Sequence, residues 1–120
     1  MKRNWSESDI QSTCITLARY KYGKELFFSV PNGAHLYGSD EQKAKQMNKL
    51  KREGLQAGVS DLVFFHKEKK PLFVEMKSKA GKQSESQSEF ENKVESGFGY
   101  YVIIDSFGDF EQLLKNYYGY

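Results

Sequence analysis

Two acidic residues, Asp61 and Glu75, are the side chains in this sequence best placed to do chemistry. Each lies in a short apolar segment, and a polar, turn-like stretch separates the two segments. This pattern predicts two strands, 59–65 and 72–77, joined as a β-hairpin. With the turn centred near Glu68, Asp61 lies directly opposite Glu75, and their Cβ atoms are roughly 4.5–5.5 Å apart.

Two carboxylates this close in an apolar setting repel each other, so a cation is needed to compensate them. The sequence offers two candidates. One is a divalent metal ion, which prefers oxygen ligands. The other is Lys77, which lies two residues past Glu75 and therefore on the same face of its strand. An aspartate followed by Glu-x-Lys across a hairpin is typical of metal-dependent phosphodiesterases.

The net charge of the chain does not indicate an anionic substrate, but the distribution of its basic residues does. The 120 residues, predicted to form a single domain over 1–120, carry 18 basic and 16 acidic side chains, a net charge of only +2. The basic side chains concentrate in one segment and around the hairpin; they are Lys43, Lys45, Lys49, Lys51, Arg52, Lys67, Lys69, Lys70, Lys77, Lys79 and Lys82. A basic surface around an acidic pocket is what a phosphodiester chain requires.

Several other classes of protein are disfavoured by composition. The one cysteine, Cys14, excludes an intramolecular disulfide and a cysteine-rich zinc site. The sequence has no apolar run of 18 residues, and its N-terminus lacks the hydrophobic region of a signal peptide. We therefore expect a soluble, cytoplasmic protein with no membrane partner.

The remaining elements follow from helix caps and apolar runs. Helices are predicted from a Ser6 cap to about Tyr22, from a capping box at Ser39 to Gly54, from a capping box at Ser84 to Ser96, and around Phe110 to Tyr117. Strands are predicted at 26–30 and 100–104, the second buried on both faces because its apolar run is continuous. The order predicts an α/β fold, a mixed sheet flanked by helices, with the basic second helix as an insertion on the outside.

Two polar residues interrupt apolar helix stripes near the helix N-termini. Glu7 precedes Ile10 and Cys14 at helical spacing, and Gln87 stands in the same relation to Phe90. We interpret Glu7 as a third carboxylate near the metal and Gln87 as a hydrogen-bonding group of the same pocket. The alternative is that Glu7 is a solvated first-turn residue favoured by the helix dipole, and that Gln87 serves its capping box.

Together these residues resemble the virus-type replication-repair nuclease (VRR-NUC) family of the PD-(D/E)XK nuclease superfamily, over about residues 5 to 105. The matching pieces are Glu7, Ile10 and Gln11; Pro31, Asn32 and Gly33; Gly54; Gly58 to Asp61; Glu75 to Lys77; Ser84 to Gln87; and Gly97 to Tyr100. Met76 departs from the pattern, because similar proteins often carry Leu or Val there. The resemblance implies a restriction-endonuclease-like αβββαβ core with an inserted basic helix and a C-terminal helix.

The resemblance also implies hydrolysis of DNA phosphodiester bonds with Mg²⁺ or Mn²⁺. Asp61, Glu75 and the Met76 backbone carbonyl would hold the cation, with Glu7 as a further ligand or the holder of a second metal. Lys77 would orient the attacking water or stabilise developing charge. Its neighbouring carboxylates favour its charged form and argue against a role as general base. The sequence does not decide between one metal and two.

Contacts to the DNA backbone are expected from a loop and from the basic helix. The predicted residues are Asn32, Gly33 and His35, followed by Lys43, Lys45, Lys49, Lys51 and Arg52. The alternative for the helix is an ordinary solvated face. His35 and His66 lack the spacing of metal ligands, so neither is expected to be catalytic.

Two other functions stay open on the sequence alone. One is a catalytically inactive DNA-binding module of the same fold, which we disfavour because Asp61, Glu75 and Lys77 are all present. The other is a nuclease directed at RNA, since no motif reads or excludes the 2′-hydroxyl. Similar nucleases often select branched or flapped DNA in replication, repair or recombination. The small size and the resemblance to junction resolvases together suggest a homodimer.

Overall fold

The computed structural model describes residues 5–31, 36–78 and 81–120, and the predicted α/β class is confirmed over them. The elements are α1 (Glu7–Tyr22), β1 (Phe27–Ser29), α2 (Asp40–Arg52), β2 (Leu62–Phe64), β3 (Leu72–Met76), α3 (Glu85–Lys93), a π-helical turn (Val94–Phe98), β4 (Tyr100–Ile104) and α4 (Phe107–Tyr118). The element types and their order agree with the prediction, and most boundaries differ by one to three residues.

The strands described form one mixed sheet of four in the order β1-β2-β3-β4. The first three are antiparallel and β4 runs parallel to β3. In the hairpin, Leu62 lies opposite Val74 and Phe64 opposite Leu72. Continued by one residue, this register places Asp61 opposite Glu75, as the turn position predicted.

Each face of the sheet is covered by different helices. The main core lies between one face and helices α1 and α4, and its fully buried side chains include Phe64, Leu72 and Val74 from the strands, with Cys14 and Phe110 from the two helices. On the opposite face, α3 packs through the ring of Phe90 against Phe73 and Tyr101. Asp61 and Glu75 share this second face, since they alternate with the core residues along their strands.

Side-chain caps fix where three of the helices begin. Ser6, Ser39 and Ser84 each accept a hydrogen bond from a backbone N–H three residues on, and the side chain at that position bonds back. These are complete capping boxes, two of which the sequence predicted. At the far end of α2, Gly54 has a φ of +113°, and the N–H of Leu55 donates to the carbonyl of Leu50.

Two sequence predictions about packing were wrong or incomplete. Strand β4 is not buried on both faces, since Tyr100 is 48% and Ile103 42% exposed. The reason is that β4 is an edge strand of the described sheet, so it has a neighbouring strand on one side only. The third helix is regular only to Lys93, because a π-helical turn containing Gly97, at a φ of 146°, replaces its predicted last residues.

Helix α2 lies at the periphery, as its narrow apolar face predicted. None of its described residues is buried, and the ion pair between Lys45 and Glu41, at 3.8 Å, is exposed. Among the helices in residues 5–31, 36–78 and 81–120, none combines the length and the hydropathy that a membrane span requires.

Candidate functional site

The acidic pair at the open end of the hairpin is held by two short hydrogen bonds. The backbone N–H of Met76 donates to Oδ2 of Asp61 at 2.7 Å, and Nε2 of Gln87 donates to Oε1 of Glu75 at 2.7 Å. Bonds of this length to a carboxylate are strong and directional. One oxygen of each acid is therefore fixed, and the strands hold the two carboxyl groups face to face.

Glu75 is the unusual member of the pair. It is only 2% exposed, and within the described part of the chain its Oε2 is buried without a hydrogen-bond partner. Burial is the largest cause, followed by the adjacent carboxyl group of Asp61 and its negative charge, and together they raise the pKa of Glu75 to about 8. Lys77 opposes this shift, and Glu7 adds to it. A buried carboxylate in this setting binds either a proton or a cation.

Gln87 has both of the roles that the sequence left open. Its Oε1 accepts a hydrogen bond from the N–H of Ser84 at 2.8 Å, which completes the capping box of α3. Its Nε2 is then directed at Glu75. The start of α3 thus positions an amide donor against the buried acid, and one side chain links the helix cap to the site.

Close approach of α3 to the hairpin depends on Gly58. This residue has a φ of +77°, a region that side chains disfavour, and a Cβ built there would overlap the backbone of Ser86 and Gln87. A glycine is therefore required for the 58–61 segment to pass beside the first turn of α3. Gly58 belongs to the family pattern in the sequence, and its physical reason is this close approach of α3.

Lys77 continues the β3–β4 ladder, since its N–H donates to the carbonyl of Ile104 at 2.9 Å. Its side chain is half-buried, and its positive charge lowers the pKa of Glu75. No salt bridge within 4 Å joins it to an acid among the residues described. The ammonium group therefore acts on the pair through space, and its part in a reaction stays a prediction.

Glu7 reaches the same end of the sheet from the first turn of α1. Its Oε1 accepts a hydrogen bond from the N–H of Ser78 at 3.3 Å. Across the described residues, no three His, Cys, Asp or Glu side chains form a group that could hold a metal. Glu7 is therefore a neighbour of the pair that acts on its charge, and a direct ligand role for it stays a prediction.

A hard divalent cation fits the pair on the chemistry of the donors. The set consists of two carboxylates on adjacent strands, and one of their oxygens is buried without a partner. Oxygen ligands of this kind are those that Mg²⁺ and Mn²⁺ prefer. The carbonyl of Met76, which directly follows Glu75, stays a predicted further ligand.

A cleft beside the acidic pair was not predicted. It has a volume of about 750 Å³ and lies between α1 and β1, with Glu7 and Asp61 among its lining residues. The wall from α1 is a helical stripe formed by Glu7, Ser8, Gln11, Ser12, Ile15, Thr16 and Arg19, and the wall from β1 is formed by Phe27, Phe28 and Ser29. The only signal in the sequence was that this stripe holds no charged residue between Glu7 and Arg19.

Only some of the residues predicted to contact DNA lie within the described part of the chain. Asn32, Gly33 and His35 lie outside the described residues. The basic side chains of α2, from Lys43 to Arg52, are all exposed, which suits either a DNA-binding surface or a solvated one.

Two other potentially reactive side chains, Cys14 and His66, are packed against the rest of the protein. Cys14 is fully buried in the core, and burial raises the pKa of its thiol to about 12, which leaves it inert as a nucleophile. The ring of His66 packs against those of Tyr117 and Tyr118, and its Nδ1 accepts a hydrogen bond from the N–H of Glu68.

Comparison with known proteins agrees with this architecture. Among curated proteins, no sequence matches the chain significantly. A solved structure described as a VRR_NUC domain protein superposes with a TM-score of 0.71 over 96% of this chain and 89% of its own length, at 16% sequence identity. At that identity the likeness shows the shared fold. The VRR-NUC domain model matches residues 5–103, which include Asp61, Glu75, Lys77 and Gln87. The chain therefore belongs to the VRR-NUC domain family, a family with a nuclease-type fold.

Proposed function

We propose that this protein is a DNA endonuclease that hydrolyses phosphodiester bonds with Mg²⁺ or Mn²⁺. The observation that carries the proposal is the buried acidic pair, in which Oε2 of Glu75 has no partner among the described residues. A fold that served only to bind DNA would gain nothing from a buried, unpaired carboxylate, because such a group destabilises the folded state. A cation bound between the two carboxylates would offset this destabilisation of the folded state.

Each residue of the site has a role that follows from its position. Asp61 and Glu75 would hold the cation, with the Met76 carbonyl as a further ligand. When bound, the cation polarises the scissile phosphate, activates water and neutralises charge that builds up in the transition state. Gln87 and the Met76 N–H keep the two carboxylates oriented, as groups behind metal ligands commonly do.

Lys77 and Glu7 would act on the water and on the phosphate. Lys77, charged beside two acids, orients the attacking water or stabilises negative charge on the phosphate. Glu7, held by the Ser78 N–H, lies on the other side of the site from α3 and can position a second cation or a water molecule.

The substrate we propose is branched, flapped or junction DNA met during replication, repair or recombination. The exposed basic face of α2 would contact the phosphate backbone, together with Asn32, Gly33 and His35. A homodimer would enlarge the contact with DNA and provide two symmetry-related sites. Measurement of the mass in solution checks this, since a strictly monomeric protein at micromolar concentration would contradict it.

A cleavage assay on a panel of labelled nucleic acids tests the proposal. The panel contains hairpin, flapped, nicked and four-way-junction DNA, with matching RNA, each incubated with Mg²⁺, Mn²⁺ or EDTA. We expect metal-dependent cutting of DNA that is strongest on branched forms and is lost in Asp61→Asn. Cutting of RNA alone would redirect the proposal to RNA, and tight DNA binding without any cutting would favour an inactive module.

A further inference from the structure

A hydrogen-bonded network at the start of α3 is not used by the proposed reaction. Its centre is Gln83, the residue before the Ser84 cap, whose side chain contacts both α3 and β4. We propose that Gln83 is a positioning residue, which fastens the start of α3 to β4 and so sets where the amide of Gln87 meets Glu75. This inference rests on the proposed function, because Glu75 is a proposed ligand of the catalytic cation.

Both polar atoms of the Gln83 side chain have partners. Its Oε1 accepts a hydrogen bond from the hydroxyl of Ser88 at 2.9 Å. Its Nε2 donates to Oε1 of Glu91 at 3.0 Å and to the hydroxyl oxygen of Tyr101 at 3.4 Å. The reversed amide would bring its oxygen against the Glu91 carboxylate, which only accepts, so the partners determine its orientation. A half-buried side chain with three partners is held in one arrangement.

Tyr101 provides a rigid anchor on β4. Its side chain is buried, and its ring packs against that of Phe90 on α3 at 6.2 Å between centroids. Tyr101 lies opposite Phe73 in the parallel register, and Glu75 is two residues further along β3. The tyrosine and the acid therefore lie on the same face of the sheet, on adjacent strands.

The hydroxyl of Tyr101 is close enough to the acidic pair to interact with its charge. Burial raises the pKa of this hydroxyl to about 12, and the negative charges of Glu75, Glu91 and Asp61 add to the shift. The hydrogen bond from Gln83 opposes it. Tyr101 therefore stays neutral at physiological pH, and its hydroxyl oxygen remains an acceptor for Gln83.

The effect of Gln83 on the site passes through the backbone of the next residue. The N–H of Ser84 donates to Oε1 of Gln87 at 2.8 Å, and Nε2 of the same amide donates to Glu75 at 2.7 Å. Because one amide makes both bonds, its Nε2 reaches Glu75 only when the Ser84 N–H is correctly placed. The attachment of Gln83 to Tyr101 fixes that N–H relative to the sheet.

Helix α2 shows that a capping box alone does not need such an attachment. Its box is complete, and the N–H of Ser39 donates to Gln42 at 2.8 Å. The residue before this cap is Gly38, which has no side chain to form hydrogen bonds. The contacts of Gln83 therefore add something beyond helix capping, which is attachment to the strand beside that of Glu75.

Cleavage rates of Gln83→Ala, Gln87→Ala and the double variant test this inference. We expect Gln83→Ala to lower the rate about tenfold, a usual cost of losing a group that orients a metal ligand. In the Gln87→Ala background the same change should lower the rate by less than about twofold, since a residue that acts through Gln87 has nothing left to position. Gln112→Ala, which removes an exposed hydrogen bond to Asn116 on α4, is the control and should leave cleavage unchanged.

An exchange of side chains tests whether the contact with Glu91 is responsible. Gln83→Glu places a second carboxylate against Glu91 and should lower cleavage by about tenfold or more. Addition of Glu91→Gln restores a donor and an acceptor with their roles reversed, and the hydroxyl of Tyr101 can then donate to position 83. The exchanged pair should recover most of the wild-type rate.

The side-chain amide signals of Gln87 in NMR spectra report its position without cleavage or metal. We expect these signals to shift in Gln83→Ala and in Tyr101→Phe, and to stay unchanged in Gln112→Ala. Tyr101→Phe keeps the ring that packs on Phe90 and removes only the hydroxyl, so it separates loss of the hydrogen bond from loss of packing. Thermal melting establishes that each variant folds.

The possible results distinguish this inference from the proposed function. A loss of cleavage that is equally large with and without Gln87, or Gln87 amide signals that do not move in Gln83→Ala, would overturn the inference and leave the nuclease proposal intact. A lower melting temperature with unchanged cleavage would do the same. A wild-type protein that cuts no nucleic acid would refute the proposed function, and the amide signals would still decide whether Gln83 positions Gln87.

Discussion

The two ends of the β2–β3 hairpin differ in whether their buried polar groups have hydrogen-bond partners. At the turn end, defined here by residues 64–72, buried tyrosine hydroxyls all reach backbone carbonyls: that of Tyr117 donates to Lys70 at 2.7 Å and to Phe64 at 3.3 Å, and that of Tyr118 to Phe65 at 3.0 Å. At the open end, defined by Asp61 and Glu75, two acids face each other and one oxygen has no partner within the described residues.

Within one hairpin, the turn end therefore contributes to the stability of the fold, and the open end provides the groups for chemistry. A buried hydroxyl that donates to a carbonyl is satisfied and needs nothing further. A buried carboxyl with a strongly raised pKa is a place where the folded state gives up stability, as functional sites often do. Mutations at the turn end should therefore change the melting temperature and leave the reaction intact, whereas mutations at the open end should impair the reaction.

The largest expected effect at the open end is that of Lys77→Ala. This change removes the ammonium group beside the acids, and we expect cleavage to fall by at least about 1000-fold, the order of a lost charge contact in a transition state. Fold and metal binding should stay close to those of the wild type, as checked by circular dichroism and Mn²⁺ titration. Substantial residual cutting would remove Lys77 from the mechanism.

Gln87→Ala should have the next largest effect, because it removes both a helix cap and the donor to Glu75. We expect cleavage to fall by about 10- to 100-fold, the usual cost of losing a group that orients a metal ligand, and stability to fall by about 1 kcal/mol. Both quantities are measured on the same preparation, by steady-state cleavage and by urea unfolding.

Gln42→Ala is the matched control for that change, since Gln42 completes the equivalent capping box of α2 through the N–H of Ser39. It should cost similar stability and leave cleavage unchanged. Equal losses of cleavage in the two variants would show that Gln87 acts only through its helix cap.

Glu75→Gln tests, without any measurement of catalysis, whether ionisation of Glu75 destabilises the folded state. In the folded protein the pKa of Glu75 is raised to about 8 from an ordinary value of 4.5. The folded state thus holds a proton that the unfolded chain has released, and this stabilising contribution, complete below about pH 4.5, is lost as pH rises through 8.

The amide cannot ionise, so in EDTA at pH 9 the variant should melt several degrees above the wild type. At pH 5 the two should melt alike, as followed by thermal scans across the pH range. A wild-type melting temperature with the same pH dependence as that of Glu75→Gln would contradict the burial of a titrating acid here.

Tyr117→Phe should have the smallest effect, and it is confined to the turn end. The variant leaves the carbonyl of Lys70 without its donor, which costs on the order of 1 kcal/mol of unfolding free energy. Cleavage should not change. Tyr20→Phe, at a position 88% exposed, is the control and should alter neither the unfolding free energy nor cleavage. A loss of cleavage in Tyr117→Phe would contradict the claim that the turn end contributes only to stability.

The sequence was informative where a local rule determines the structure. Serine caps set the starts of the helices, and the position of the turn set the register that brings Asp61 opposite Glu75. Gln87 was identified because a polar group on an apolar stripe needs a partner. In each case the relevant neighbours are close in sequence or lie across one hairpin.

What the sequence could not provide depends on packing between distant elements. The apolar run 100–104 predicted burial on both faces, but Ile103 is exposed because β4 lies at an edge of the described sheet. The stripe from Ser8 to Thr16 resembles an ordinary solvated helix face, and only the placement of β1 beside it creates the cleft. The need for a glycine at position 58 likewise appears only once α3 lies against it.

The most direct test of the account is a crystal structure of the protein soaked in Mn²⁺, with data collected near the manganese absorption edge. We expect an anomalous peak between the carboxylates of Asp61 and Glu75, within coordinating distance of both, and its absence in Asp61→Asn. No peak at this position in the wild-type protein, or a peak bound by other residues alone, would contradict the assignment of the buried pair as a metal centre.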